Sequence, residues 1–152
     1  MNKNLEKVIE KLKKNNVEFK LIKLERSGIT SKDVEKLTGW ELERIYKTIV
    51  LTDGKNFFAV MVSGNKRIDL KKVDKIFRKS LRLAKAKELK EKLKLAPGEV
   101  SPFLIDMPVI ADKSILSKGK IHLGSGDIKY DLEMEANDVL KLTNAKIDNI
   151  SE

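Results

Sequence analysis

Leu5, Val8, Ile9 and Leu12 recur at the three- and four-residue spacing that places side chains on one stripe of a helix, and Asn15-Asn16 supplies a stop. The chain therefore opens with an amphipathic helix. The pattern then alternates: Val17-Glu18-Phe19-Lys20-Leu21 predicts a half-buried strand running towards Leu24. Ser27-Gly28 turns the chain. Thr30-Ser31-Lys32-Asp33 has the form of a capping box, opening a short helix that carries Val34 and Leu37 and closes at Gly39. Ile49-Val50-Leu51 and Phe57-Phe58-Ala59-Val60-Met61-Val62 flank Thr52-Asp53-Gly54-Lys55, whose Asp-Gly pair suits a tight hairpin turn. The second run is apolar at consecutive positions, so both its faces are buried and it belongs at the centre of a sheet.

After a turn at Ser63-Gly64-Asn65-Lys66, Asp69 can cap a helix bearing Leu70, Val73, Ile76 and Phe77. A short strand at Leu81-Arg82-Leu83-Ala84 precedes a helix marked by Leu89 and Leu93, which stops before Pro97-Gly98. Phe103-Leu104-Ile105, Val109-Ile110-Ala111, Ile121-His122-Leu123 and Ile128-Lys129-Tyr130-Asp131-Leu132 read as short strands between Gly, Pro, Asp and Ser turns. Val139, Leu140 and Leu142 mark a last helix. Mixed elements with hairpins and no regular βαβ alternation predict an α+β fold with a mixed, largely antiparallel sheet and flanking helices.

Length and composition narrow the class. With 152 residues and 41% hydrophobic content the chain suits one core of moderate size, so residues 1–152 are expected to form a single domain. No apolar run approaches the roughly 18 residues of a membrane span, and Met1-Asn2-Lys3-Asn4-Leu5-Glu6 lacks a signal peptide's apolar stretch. The expected location is the cytosol, with no membrane partner. Without cysteine there is no disulfide, no thiolate metal site and no cysteine nucleophile. The net charge of +9 is unevenly placed: between Lys71 and Lys94, eleven Lys or Arg face only Asp74, Glu88 and Glu91. Such a segment suits a polyanion, since each neutralised phosphate releases counterions. It also suits a solvated helical face in a lysine-rich protein, and charge alone leaves both readings open.

The candidate chemistry begins at Lys47, which opens the apolar strand Tyr46-Lys47-Thr48-Ile49-Val50-Leu51 and places an ammonium where it faces a cleft or the sheet edge. Thr48 offers a hydroxyl beside it, although its β-branch equally suits a strand. Pro97-Gly98-Glu99-Val100-Ser101-Pro102 reads on its own as a turn, in which Gly98 lets the backbone approach a neighbouring group closely. Gly124-Ser125-Gly126-Asp127 is either a pocket wall or a hairpin turn. Asp112 can line a pocket or cap a turn. His122, between Ile121 and Leu123, fits a core position and is also suited to proton transfer. Gly64-Asn65-Lys66 lacks the upstream glycine of a phosphate-binding loop, no side chains have metal-ligand spacing, and the one histidine has no serine elbow. No metal and no cofactor are expected.

Taken in order, Lys47-Thr48, Gly64 with Leu70, Leu83-Ala84, Gly98 to Pro102 and Gly124 to Leu132 resemble the YbaK/EbsC family of aminoacyl-tRNA deacylases, which also occurs as the editing domain inserted in bacterial prolyl-tRNA synthetase. The resemblance runs from the first helix to about Leu142. It implies the prolyl-tRNA editing fold, with Lys47 holding the terminal phosphate or ribose of the tRNA and Gly98 in the catalytic loop, where the backbone approaches the acyl group and successive amides form an oxyanion hole. Thr48, Glu99, Val100, Ser101, Pro102, Asp112, Gly124, Ser125 and Gly126 are implied on the substrate side. Glu99 stands where many relatives carry a second glycine, which alters the charge expected beside the pocket. A His-Pro motif of the kind that alanine-editing relatives use is absent.

The implied activity is hydrolysis, in trans, of the ester joining a wrong amino acid to the 3′ end of a tRNA. Cysteine or alanine on the tRNA for proline is favoured and serine remains open. A cysteinyl substrate could attack the ester with its own thiol, which fits the lack of an evident protein nucleophile. The implied partners are the acceptor end of the aminoacyl-tRNA and prolyl-tRNA synthetase. The alternative is a non-catalytic RNA-binding module of the same fold, which Glu99 favours by repelling a phosphate.

Overall fold

Asn2 begins the fold by accepting the Leu5 N–H, which starts helix α1 (Lys3–Lys14) and turns Leu5, Val8 and Leu12 into the core. The computed structural model describes residues Met1–Glu152. Four further helices follow: α2 (Ser31–Thr38), α3 (Leu70–Phe77), α4 (Ala86–Leu93) and α5 (Ala136–Thr143). The Thr30/Asp33 capping box and left-handed Gly39 bound α2, and Asp69 caps α3, each as its local sequence requires.

Eight strands form two sheets. In the smaller, β1 (Lys20–Lys23), β7 (Tyr130–Glu135) and β6 (Lys120–Gly124) lie antiparallel with β7 in the middle. The larger has the order β4 (Arg82–Leu83), β2 (Tyr46–Thr52), β3 (Phe57–Ser63), β5 (Val109–Asp112), β8 (Lys146–Asp148). Its first three strands pair antiparallel, whereas β3–β5 and β5–β8 are parallel. A bridge between Ile45 and His122 joins the two sheets where β2 begins alongside β6.

The alternation along β3 explains why the larger sheet is covered on both faces. Ala59 and Met61 point into the main core with Val8, Leu12, Ile121, Leu132 and Met134; Phe58 and Val60 point the other way, against Val73 of α3 and Ile110 and Ile150. The central position expected for β3 is thus observed. Phe103-Leu104-Ile105 is a turn rather than the expected strand, because the Ser101 Oγ and carbonyl accept the Phe103 and Leu104 N–H groups. The expected strand at Val17 starts only at Lys20, and the one at Ile128 starts at Tyr130, where Asp127 holds the Lys129 and Tyr130 amides in a turn. No helix is long and apolar enough to cross a membrane.

Candidate active site

A cavity of about 300 Å³ opens where the two sheets meet. Its walls come from distant parts of the chain: Gly28 to Ser31 with Val34, Ile45 to Val50 of β2, Leu83-Ala84, the Pro97-Gly98 loop with Val100, and the end of β6 with the start of β7. Ile29 and Leu83 stand exposed on the rim.

The strand register builds this site. From the Ile45–His122 bridge, two residues further along each strand come Lys47 and Gly124, and Gly124 is the cross-strand partner of Asp131. Glycine there is a steric requirement, since a Cβ would overlap the Val100 carbonyl oxygen. Gly98 has φ 88°, the left-handed region that glycine enters freely, and a Cβ on it would press to 3.1 Å against both Ile128 and Ile29. The Gly98, Val100 and Ser101 amides donate to no acceptor in the protein. The 124–127 turn is tied down on several sides. Ser125 shares its hydroxyl between the Asp127 and Tyr130 carbonyls, and Asn2 donates to both Asp127 and the Gly126 carbonyl.

Lys47, half-buried, makes no ion pair. Burial, and then repulsion from Arg67, hold its ammonium below the ordinary lysine pKa. Burial pushes the Asp131 carboxyl above the usual carboxylate range, opposed by its hydrogen bond with His122. His122 is fully buried behind Asp131, with its ring 4.2 Å from that of Trp40.

Of the residues singled out from the sequence, Lys47, Thr48, Gly98, Val100, Gly124 and Ser125 line the cavity together. The others stand behind the wall or away from it. Glu99 turns its carboxylate onto the Ala96 N–H at 2.8 Å, closing its own turn, so the repulsion that favoured a non-catalytic module has no source at the cavity wall. Ser101 is buried with its Oγ accepting the Phe103 N–H, and Pro102 is buried next to it. Gly126 packs against Leu104 and Asn4. Asp112 is buried outside the cavity, where it accepts the Ser114 and Ile150 N–H groups; burial opposes its charge, but these bonds keep its pKa below the usual range. Sequence reasoning did not single out the 28–34 segment, Leu89 or Asp131 as site residues. Asp131 alone carried a signal, as an acid inside an otherwise strand-like apolar run.

A model of the aminoacyl-tRNA editing domain matches residues 25–142. The chain belongs to this YbaK-like family. Over 100 residues it is 29% identical to a proline–tRNA ligase of Sulfurihydrogenibium sp. (strain YO3AOP1), a match taking in 64% of the chain but only 18% of the ligase. The chain thus spans less than a fifth of that curated relative. Among solved structures it is similar to the hypothetical protein APE2540, with 26% identity and a TM-score of 0.89 over 96% of this chain and 99% of the other. A proposed trans-editing enzyme for prolyl tRNA synthetase, at 24% identity, shares the fold with a TM-score of 0.88 over 100% of this chain and 99% of its own. No group of three or more His, Asp or Glu side chains in this editing domain is placed to hold a metal ion.

Proposed function

We propose that the protein is a trans-editing deacylase, hydrolysing the ester between a wrong amino acid and the 3′ end of a tRNA. The observation that carries this reading is the convergence of Lys47, Thr48, Gly98, Val100 and Gly124, from three separate stretches of sequence, on one cavity. In this reading the Lys47 ammonium, free of any protein carboxylate, holds the terminal phosphate or ribose. The unpaired amides of the Gly98 loop receive the negative charge that develops on the ester carbonyl, a kind of donor whose loss typically costs about 2.7–4 kcal/mol in the barrier. The Ser101 and Ser125 hydroxyls are engaged in their own loops, and in this reading the attacking group is water or the substrate's own side chain.

Such an activity answers a physical need. A synthetase pocket separates side chains differing by a methylene by only about 1–3 kcal/mol, so a second sieve restores accuracy. Cysteinyl- and alanyl-tRNA for proline are the preferred substrates of this proposal, and the ligase similarity makes prolyl-tRNA synthetase the proposed partner. The test is single-turnover deacylation of Cys-, Ala-, Ser- and Pro-tRNA for proline by wild type and Lys47→Ala, with and without the synthetase. Rapid loss of one misacylated species that disappears in the variant is expected. An unchanged rate in Lys47→Ala overturns the assignment of that residue. No cleavage of any species overturns the reading.

A further inference from the structure

The cavity is bipolar. Lys47 is the only basic residue in its lining, and Asp127 and Asp131 are the only acids. Asp127 is committed to the fold: its Oδ2 accepts the Asn2 N–H and its Oδ1 the Lys129 N–H, each at 2.9 Å. Asp131 is differently placed. Its Oδ2 binds Nδ1 of His122, no other side chain bonds the carboxylate, and the Leu132 amide also lies close to it. Its cross-strand partner is Gly124, whose missing side chain admits the Val100 carbonyl, so no side chain from β6 covers Asp131 there. No ion pair joins Asp131 to Lys47, so the lining carries one basic and one acidic group that do not pair with each other.

We propose that Asp131 receives the α-ammonium group of the esterified amino acid, with His122 as the positioning residue that holds the carboxylate for that contact. The proposal rests on the deacylase reading above and names what the site demands of its substrate. An aminoacyl-tRNA end carries an anionic phosphate and, on the far side of the scissile ester, a cationic amine. Lys47 and Asp131 read these two charges in opposite directions, so a reversed substrate meets repulsion at both poles. A buried carboxylate is costly until it meets a cation and bonds strongly when it does. Acylation of the amine removes the charge and sets a bulky neutral amide against Asp131. The site therefore accepts free aminoacyl esters and rejects N-acylated ones, the chemical class that includes peptidyl-tRNA.

His122 is built for the positioning role. Asp131 fixes its Nδ1 and Trp40 covers its ring, while Nε2 has no hydrogen-bond partner and lies 3.5 Å from Glu133 Oε2, a carboxylate that Lys120 faces at 3.8 Å. It is also the only histidine in the chain, so its ring resonances report on Asp131 without ambiguity.

The probes are two hydrolysis-resistant 3′-amide analogues of alanyl-adenosine, one with a free amine and one N-acetylated, titrated into the full chain. In wild type the free-amine analogue is expected to bind about tenfold tighter or more, the size of one charge-assisted hydrogen bond, and to shift the His122 ring 15N resonances. The isosteric Asp131→Asn should bring the two affinities to within about twofold. His122→Leu should reduce the preference, and His122→Asn, whose amide can replace the Nδ1 donor, should restore it. Equal affinity in wild type, no binding of the free-amine analogue, or a preference unchanged in Asp131→Asn would each overturn the proposal. These are binding ratios and do not depend on turnover. Equal cleavage of alanyl- and N-acetylalanyl-tRNA would sink this inference while leaving the deacylase reading intact.

Discussion

Gly124 shows how much of the site depends on a missing side chain. It lets the Val100 carbonyl close onto β6 at the position paired with Asp131. Gly124→Ala is therefore expected to destabilise the protein by about 1–3 kcal/mol, the usual range for overpacking, and to lower single-turnover deacylation; a urea melt and a rate measurement check both. Lys47 gives a second expectation. Because burial lowers its pKa, its positive charge is lost as pH rises through a value below the ordinary 10.5. Affinity for an anionic adenylate should fall over that interval in wild type, while Lys47→Arg, charged throughout, should show no such fall. Lys47 was legible because a lone cation opens an apolar run. Asp131 gave a weaker signal, an acid in a strand, and its place in the cavity lining comes from the pairing of β7 with β6.

Helix α4 illustrates an element whose ends are written locally. The Glu88 carboxylate accepts the Lys85 N–H and pairs with Arg82 at 2.7 Å; the Arg82 hydrogen bond is the chief reason its pKa is lowered to about 2. A depressed carboxyl stabilises the fold at pH values above its unfolded pKa, near 4.5, and loses that contribution as pH falls towards 2. Glu88→Gln is therefore expected to speed amide exchange in α4 at neutral pH and to match wild type once the medium is acid enough to protonate Glu88. Thr30→Ala, which removes the α2 cap at the cavity edge, should cost about 0.5–2 kcal/mol, read from the thermal midpoint. Capping residues and the Asp53-Gly54 hairpin were readable because the groups that satisfy them lie within four residues. Strand β8 was not: its three side chains are all exposed, so it carries no alternation, and only parallel pairing with β5 makes it a strand.

Charge acts over the entire surface. Most of the net +9 lies in the segment spanning α3, β4 and α4, and the structure sets it beside the cavity, since Leu83, Ala84 and Leu89 line the wall. On α4, Leu89 faces this cavity while Lys92 and Leu93 reach a second, more open groove of about 520 Å³ that Lys55 and Lys79 also border. In the proposed deacylase, this is the face assigned to the tRNA stem. Replacing Lys87, Lys90 and Lys92 by Gln is expected to weaken tRNA binding and to flatten the dependence of log affinity on log salt by about 2–3 units of slope. Cleavage of a short aminoacyl-adenosine ester, which does not reach α4, should stay near the wild-type rate.

The order of apolar and polar residues was enough to set α1, the capped helices, the β2–β3 hairpin and the doubly buried β3, because each depends on neighbours a few positions away. The resemblance to a known family, rather than that order, marked Lys47, Gly98 and Gly124 as a set. Their meeting in one cavity, the exclusion of Glu99 and Asp112 from its wall, and the pairing of His122 with Asp131 were settled by strand registers between segments far apart in the chain. A one-residue slip between β6 and β7 would turn Asp131 to the other face of the sheet. That register comes from how the two sheets pack over a shared core, which no local pattern contains.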